Sequence, residues 1–187
     1  MPTDETDGPR ILQLDARPIN STIHLDDHDP RWPAWYAKEE AKLATALGDL
    51  PHALWHVGST SVPGLAAKPL IDILLAVPDA AREADYVARI EATGYRLHIR
   101  EPEWNEHRLF KGPRPPVNLH VFSAGCPEIT RMLAFRDRLR AHDDERALYE
   151  AEKRRLAAIV WPRVQDYADA KTEVVEAIIA RAIAAGA

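Results

Sequence analysis

The side chains best placed for chemistry fall within one stretch, His56-Val57-Gly58-Ser59-Thr60-Ser61-Val62-Pro63-Gly64-Leu65-Ala66-Ala67-Lys68-Pro69-Leu70-Ile71-Asp72-Ile73. A glycine followed by serine after an apolar run lets the backbone turn tightly and present amide groups outward, an arrangement that suits phosphate oxygens. Ser59, Thr60 and Ser61 add hydroxyl donors, and Lys68 adds a positive charge for the same anion. Asp72 stands alone within Leu-Ile-Asp-Ile-Leu-Leu, where an unpaired buried carboxylate would be expensive. One reading makes it a magnesium ligand, since hard cations take oxygen donors. The other makes it a turn cap or the partner of Lys68, and the residues alone do not choose between the two.

Further candidates lie outside this stretch. Arg108 and Lys111 belong to a hairpin beside the proposed site, where they would contact phosphate or serve as charges on a sheet edge. Arg136 and Arg140 are four apart and share a helix face. His56 reads as an orienting hydrogen-bonder for the turn rather than a base. His107 and His120 form a cross-hairpin pair, a pattern more often unmetallated than metallated. Lys171, near a helix start, could reach inward but reads by default as a solvated lysine, and Glu150 to Arg155 reads as a solvated face laced with pairs four apart. Cys126 beside Pro127 has no acid or histidine placed next to it by sequence, which argues against a catalytic thiol.

The elements that must position these residues follow from periodicity. Asp29-Pro30 predicts a helix start, Trp32, Trp35, Tyr36, Leu43, Ala46 and Leu47 follow helical spacing, and Gly48 is a natural stop. Strands are expected at Ala53 to Val57, Leu70 to Val77 and Tyr95 to Ile99, with short ones at Arg10 to Asp15 and Thr22 to Leu25. A helix is expected from Pro78-Asp79 to Thr93-Gly94. His107 to Lys111 and Val117 to Phe122 flank a proline-stiffened turn and read as a hairpin. Helices over 128–141, 145–160 and 165–183 complete the chain. The expected fold is therefore α/β or α+β: a mixed sheet with flanking helices and a helical C-terminal third.

Composition bounds the function. A chain of 187 residues, 46% hydrophobic and 28% charged, fits a single globular domain over 21–187 behind a polar tail over 1–20. The formal charge of −5 argues against a broadly basic nucleic-acid-binding face. One cysteine excludes an internal disulfide and a cysteine-rich zinc site, and suits a reduced cytoplasm. The acidic start is not a secretory signal, and the longest apolar run is too short to span a bilayer.

The long opening stretch resembles the GrpB-like branch of the nucleotidyltransferase superfamily. The resemblance continues through Leu109-Phe110-Lys111-Gly112, Asn118-Leu119-His120-Val121 and Leu133-Ala134-Phe135-Arg136-Asp137-Arg138-Leu139-Arg140 to Tyr149, Lys153 and Lys171-Thr172-Glu173. It implies a nucleotidyltransferase-like sheet and a nucleotide or phosphorylated metabolite as ligand. Gly58, Ser59, Thr60, Ser61, Lys68, Arg108, Lys111 and Arg136 would bind phosphate. Catalysis and a Mg2+ or Mn2+ ion would fall to Asp72 and His120, with a nucleoside triphosphate as substrate. Family members also occur fused to dephospho-coenzyme A kinases. The sequence departs from the superfamily pattern where further acids are expected: Leu74 stands two residues after Asp72, and the later strand offers Asn118 and His120. Glu106 on the other hairpin arm could also reach in, and imidazole suits zinc or manganese better than magnesium. Three outcomes are consistent with this: an enzyme transferring a nucleoside monophosphate to a small acceptor, a binding module that has lost that chemistry, or an interaction or folding-accessory protein with a vestigial pocket.

Overall fold

The computed structural model describes residues 19–186. The tail expected over 1–20, apart from Ile19 and Asn20, and the strand expected at Arg10 to Asp15 lie outside the described residues. Helix α1 (Trp32–Leu47) is followed by strand β1 (Ala53–Val57), a 3-10 turn (Ser59–Ser61) and β2 (Ile71–Val77). Next come a 3-10 turn (Glu83–Asp85), α2 (Val87–Glu91), β3 (Arg96–Glu101), β4 (His107–Gly112) and β5 (Val117–Ser123). Helices α3 (Pro127–Ala141), α4 (Asp143–Ala157), α5 (Val164–Asp169) and α6 (Thr172–Ala184) complete the order.

The sheet runs β1-β2-β5-β4-β3, with β2 and β5 parallel at its centre and every other pair antiparallel. This is the mixed sheet that the sequence predicts. The central strand β2 is apolar except at Asp72, because its residues pack on both faces of the sheet. On one face Ile71, Ile73, Leu75, Leu119, Val121 and Phe110 meet Trp32, Leu43 and Leu47 of α1 and Ile90 of α2. On the other, Val57, Leu74, Ala76 and Phe122 meet Ile129, Met132 and Leu133 of α3. A third cluster joins Leu139, Tyr149 and Ile178 of α3, α4 and α6 to Val62 and Leu65 of the loop between β1 and β2. The helical third is thus clamped onto the stretch that carries the candidate chemistry.

Several boundaries differ from the sequence expectation, each for a local reason. Asp29 does not cap at its own position but accepts a hydrogen bond from the Arg31 amide at 2.8 Å, so α1 starts at Trp32 with Pro33 in its first turn. Thr22 to Leu25 forms no strand. Its neighbours make isolated bridges, Ser21 with Trp161 and Asp26 with Ala67, and neither partner lies in a strand that could extend a ladder. The single helix expected after Pro78 is broken, because side chains compete for its backbone: Asp79 accepts from the Ala81 amide at 2.9 Å, and Tyr86 donates to the Ala80 carbonyl at 2.6 Å. The last helix is split at Ala170-Lys171 into α5 and α6. Among the described residues no helix is long and apolar enough to cross a membrane.

Candidate functional site

Strand register sets the site. Val57, Asp72, Asn118 and Lys111 occupy one row across β1, β2, β5 and β4, and Trp55, Leu74, His120 and Leu109 the next. Because side chains alternate between faces, both rows project to the α3 side. Helices α3 to α6 stand off this part of the sheet and leave a cavity of about 500 Å³. It is lined by Gly58, Ser59, Thr60, Lys68, Asp72, Lys111, Asn118 and His120 from the sheet and its loops. Met132, Phe135, Tyr149, Lys153, Gln165, Tyr167 and Lys171 come from the helices.

Gly58 makes the turn possible. Its φ of 68° with ψ of −174° is a conformation essentially reserved for glycine. A Cβ there would lie 3.0 Å from Cβ and Cγ of Asp72 and closer still to a carboxylate oxygen. Not all of the turn's hydroxyls face the cavity freely. Ser61 Oγ donates to the Gly58 carbonyl at 2.6 Å, and Thr60 Oγ1 donates to the Leu70 carbonyl at 3.1 Å while lying 3.1 Å from His56 Nε2. Ser61 is absent from the cavity wall, so its hydroxyl shapes the loop. His56 stacks on Tyr36 with ring centres 4.8 Å apart. Burial, reinforced by Arg140 and Arg136 against the opposing pull of Asp72, lowers its pKa to about 4, which leaves a neutral orienting ring.

Asp72 is the carboxylate of the cavity wall. Burial pushes its pKa up, but His120, the Asn118 amide and Lys68 together outweigh that and hold it below the ordinary value, so it is ionised. Asn118 donates from Nδ2 to Asp72 Oδ1 at 2.8 Å and accepts from Lys111 Nζ at 2.5 Å. An acceptor on one side and an ammonium on the other fix the amide orientation. His120 Nε2 lies 3.8 Å from the same Asp72 oxygen. Behind it runs a chain in which His120 Nδ1 is 3.1 Å from His107 Nε2, and His107 Nδ1 is 2.6 Å from Glu101 Oε2. Burial, with His120 and Arg108 nearby, lowers the His107 pKa to about 3, so the ring is neutral and carries one N–H. With that N–H given to Glu101, His107 Nε2 accepts from His120 Nδ1, and His120 Nε2 faces the cavity beside Asp72. The histidine pair is thus a hydrogen-bonded relay, and the second ring nitrogen of His107 is occupied.

The cavity gathers four lysines, Lys68, Lys111, Lys153 and Lys171. Burial lowers the pKa of all four. Lys153 falls to about 7, with Lys171 and Lys68 adding repulsion, and Lys171 to about 8, with Lys68 adding repulsion. Lys153 is only 3% exposed and donates to the Ala66 carbonyl. Lys171 Nζ sits 4.1 Å from the centre of the Tyr167 ring. Sequence reasoning assigned Lys153 to a solvated face and made solvent the default for Lys171 with an inward reach as its alternative, and the structure places both on the cavity wall. The available signal was the spacing of Tyr149, Lys153 and Leu156, which puts the lysine on the buried stripe of α4.

Two candidates move away from the site. Arg108 is paired with Val121 and so projects to the opposite face of the sheet. There it is 5% exposed and donates to Glu83 at 2.6 Å, which rules out contact with a ligand beside Asp72. Arg136 is also absent from the cavity wall. It donates to the His56 carbonyl at 3.2 Å, and Arg140 makes two bonds to the Ser61 carbonyl at 2.8 and 3.0 Å, so both arginines tie α3 to the turn. Glu106 also turns to the Arg108 side, at 3.2 Å. Accordingly, Arg108→Met is expected to cost about 2 kcal/mol in urea unfolding, since Glu83 loses one of its two guanidinium partners. Affinity for phosphate compounds should stay within twofold of wild type in calorimetric titration.

Comparison with known proteins converges on one group. The chain is 52% identical over 168 residues to a UPF0157 protein of Halalkalibacterium halodurans, spanning 90% of this chain and 86% of that one. It is 46% identical over 175 residues to a UPF0157 protein of Streptomyces coelicolor, spanning 93% and 91%. The crystal structure of the conserved protein GrpB from Enterococcus faecalis superposes with a TM-score of 0.71 at 28% identity, covering 85% of this chain and 96% of that one. The profile of the family described as GrpB protein matches residues 22–181, which takes in every residue of the cavity wall. The chain therefore belongs to the GrpB family.

Proposed function

We propose that this protein binds a phosphorylated small molecule, a nucleotide or a phosphometabolite, in the lysine-walled cavity above Asp72. The observation that carries this reading is the convergence of four lysines on a concave site with one carboxylate in its wall. Clustered ammonium groups with lowered pKa values are costly to the empty protein and are relieved by an anion. Ser59 and the Gly58 backbone border the same space, and Tyr167, 1% exposed, has a hydroxyl with no hydrogen-bond partner among the described residues. Phe135, Tyr149 and Met132 supply an apolar wall for the rest of the ligand.

Calorimetric titration with orthophosphate, pyrophosphate and nucleoside mono-, di- and triphosphates tests the reading. At least one of the phosphate esters or anhydrides is expected to bind, with Lys68→Met and Lys171→Met each weakening it tenfold or more. A ligand at a hundred times its dissociation constant would also add about 2.7 kcal/mol of stability, visible as a thermal shift. Binding by none of these compounds would refute it and favour an interaction protein with a vestigial pocket.

A second reading is transfer of a nucleoside monophosphate to a small acceptor, and the observation favouring it is the cavity-facing Nε2 of His120. The acceptor oxygen would attack the α-phosphorus, its bond to the β-phosphate oxygen would break, and pyrophosphate would leave. The acceptor proton would pass to His120 Nε2. Movement of label from an α-labelled nucleoside triphosphate to an acceptor, lost in His120→Gln with ligand affinity retained, distinguishes transfer from binding.

A further inference from the structure

The superfamily resemblance brings with it a divalent cation, and the donor set around Asp72 does not fit the usual arrangement. Leu74, where a second acid would stand, is 0% exposed and packed between Val57, Phe122 and Ile129. Asn118, on the later strand, turns its amide N–H toward Asp72 and its oxygen toward Lys111. One carboxylate oxygen is therefore already engaged, and the amide oxygen is turned to an ammonium group. Among the described residues no three His, Cys, Asp or Glu side chains converge into a metal-binding group. Magnesium wants near-octahedral oxygen ligands and is usually shared between carboxylates and phosphates, and here it would also have to enter beside four ammonium groups.

The charge count points the same way. Four lysines against one wall carboxylate leave a formal excess of three positive charges when all are protonated. Each of the four is within electrostatic reach of Asp72, and Lys68 repels Lys111, Lys153 and Lys171. A divalent cation would raise that excess, whereas a diphosphate group, with about three negative charges at neutral pH, would cancel it. In active sites of this chemistry the metal neutralises the phosphate chain. Here the lysines occupy the space around it and can do the same.

We propose that the cavity binds a ligand bearing adjacent phosphoryl groups without a divalent cation, the lysine cluster taking the metal's place. This rests on the phosphate-binding reading above and adds to it the ligand's charge class and its independence of metal. Pyrophosphate titrated into the 187-residue protein at matched ionic strength is the test, once with EDTA and once with Mg2+ or Mn2+ at millimolar concentration. The expected result is affinity in EDTA at least equal to that with either cation, and orthophosphate at least tenfold weaker than pyrophosphate. Asp72→Asn should bind pyrophosphate as tightly as wild type or tighter, because it removes the opposing charge while keeping the side chain's shape. Circular dichroism of that variant confirms that it is folded. Affinity raised tenfold or more by Mg2+ or Mn2+, or abolished in folded Asp72→Asn, overturns the proposal and leaves the phosphate site standing. Failure of pyrophosphate and of nucleoside di- and triphosphates to bind in either buffer removes the phosphate site itself.

Discussion

Gly58→Ala is expected to lower the folding free energy by about 3 kcal/mol. Two terms add. The positive φ of Gly58, combined with a fully extended ψ, costs a non-glycine residue about 1–3 kcal/mol of backbone strain. The new methyl would also meet Asp72 at its Cβ and Cγ, and forcing a side chain into a packed site typically costs about 1–3 kcal/mol. Asp72 cannot step aside, because β2 is hydrogen-bonded to β1 on one edge and β5 on the other. Urea unfolding followed by circular dichroism checks the magnitude. In Gly58→Ala with Asp72→Ala the contacts with Cγ and the carboxylate oxygen disappear while the Cβ contact and the backbone term remain, so about 1 kcal/mol of the loss should return. A single-variant loss below 1 kcal/mol would contradict the turn geometry.

Lys153→Met should do the opposite, stabilising the protein while weakening phosphate binding at least tenfold. The Lys153 ammonium is buried, and its pKa of about 7 in the folded protein lies far below the ordinary lysine value of 10.5. The unfolded chain therefore holds the proton more tightly than the folded one between those two values. Wild-type stability should rise with pH from about 7 to about 10.5 through this group, and the burial penalty is full below pH 7. At about 1.4 kcal/mol per pKa unit the penalty approaches 5 kcal/mol, offset by about 1.5–3 kcal/mol from the charged hydrogen bond to Ala66. Lys153→Met is thus expected to gain about 2 kcal/mol at pH 6, a gain that shrinks toward zero and then reverses as pH approaches 10. The ligand reverses the linkage. A bound polyanion keeps Lys153 and Lys171 protonated, so wild-type affinity should fall as pH rises through 7 to 9, by up to tenfold per pH unit for each proton taken up. Calorimetry across pH 6 to 9 reads both effects, and a pH-independent affinity would remove the lysines from the site.

Much of the fold was legible because its signals are local. Ala53 to Val57 and Leu70 to Val77 read as strands from apolar runs bounded by turn residues, and the observed β1 and β2 agree to within a residue. The alternation of Val117, Leu119 and Val121 with Asn118, His120 and Phe122 reads as a strand with one buried face. The division between faces agrees, since the period of two is a backbone property, but Phe122 is buried with Ile129 of α3, so the second face is covered in part as well. The helix expected after Pro78 was not delivered, because Asp79 and Tyr86 bind nearby backbone groups more strongly than that segment favours a helix.

By itself the sequence determined the five strands of the sheet, helices α1, α3 and α4, the Gly58-Ser59 turn, the lone acid Asp72, and the GrpB family, all of them properties of contiguous residues. Tertiary structure alone decided which charges meet there. Arg108 and Lys111 lie three apart on one strand, and strand parity sends Lys111 to the cavity and Arg108 to the other face. Lys153 and Lys171 are far from Asp72 along the chain, and only the packing of α4 and the break between α5 and α6 bring them to it. The opening stretch supplied one lysine of the four; the other three arrive through register and helix packing, which no local pattern encodes.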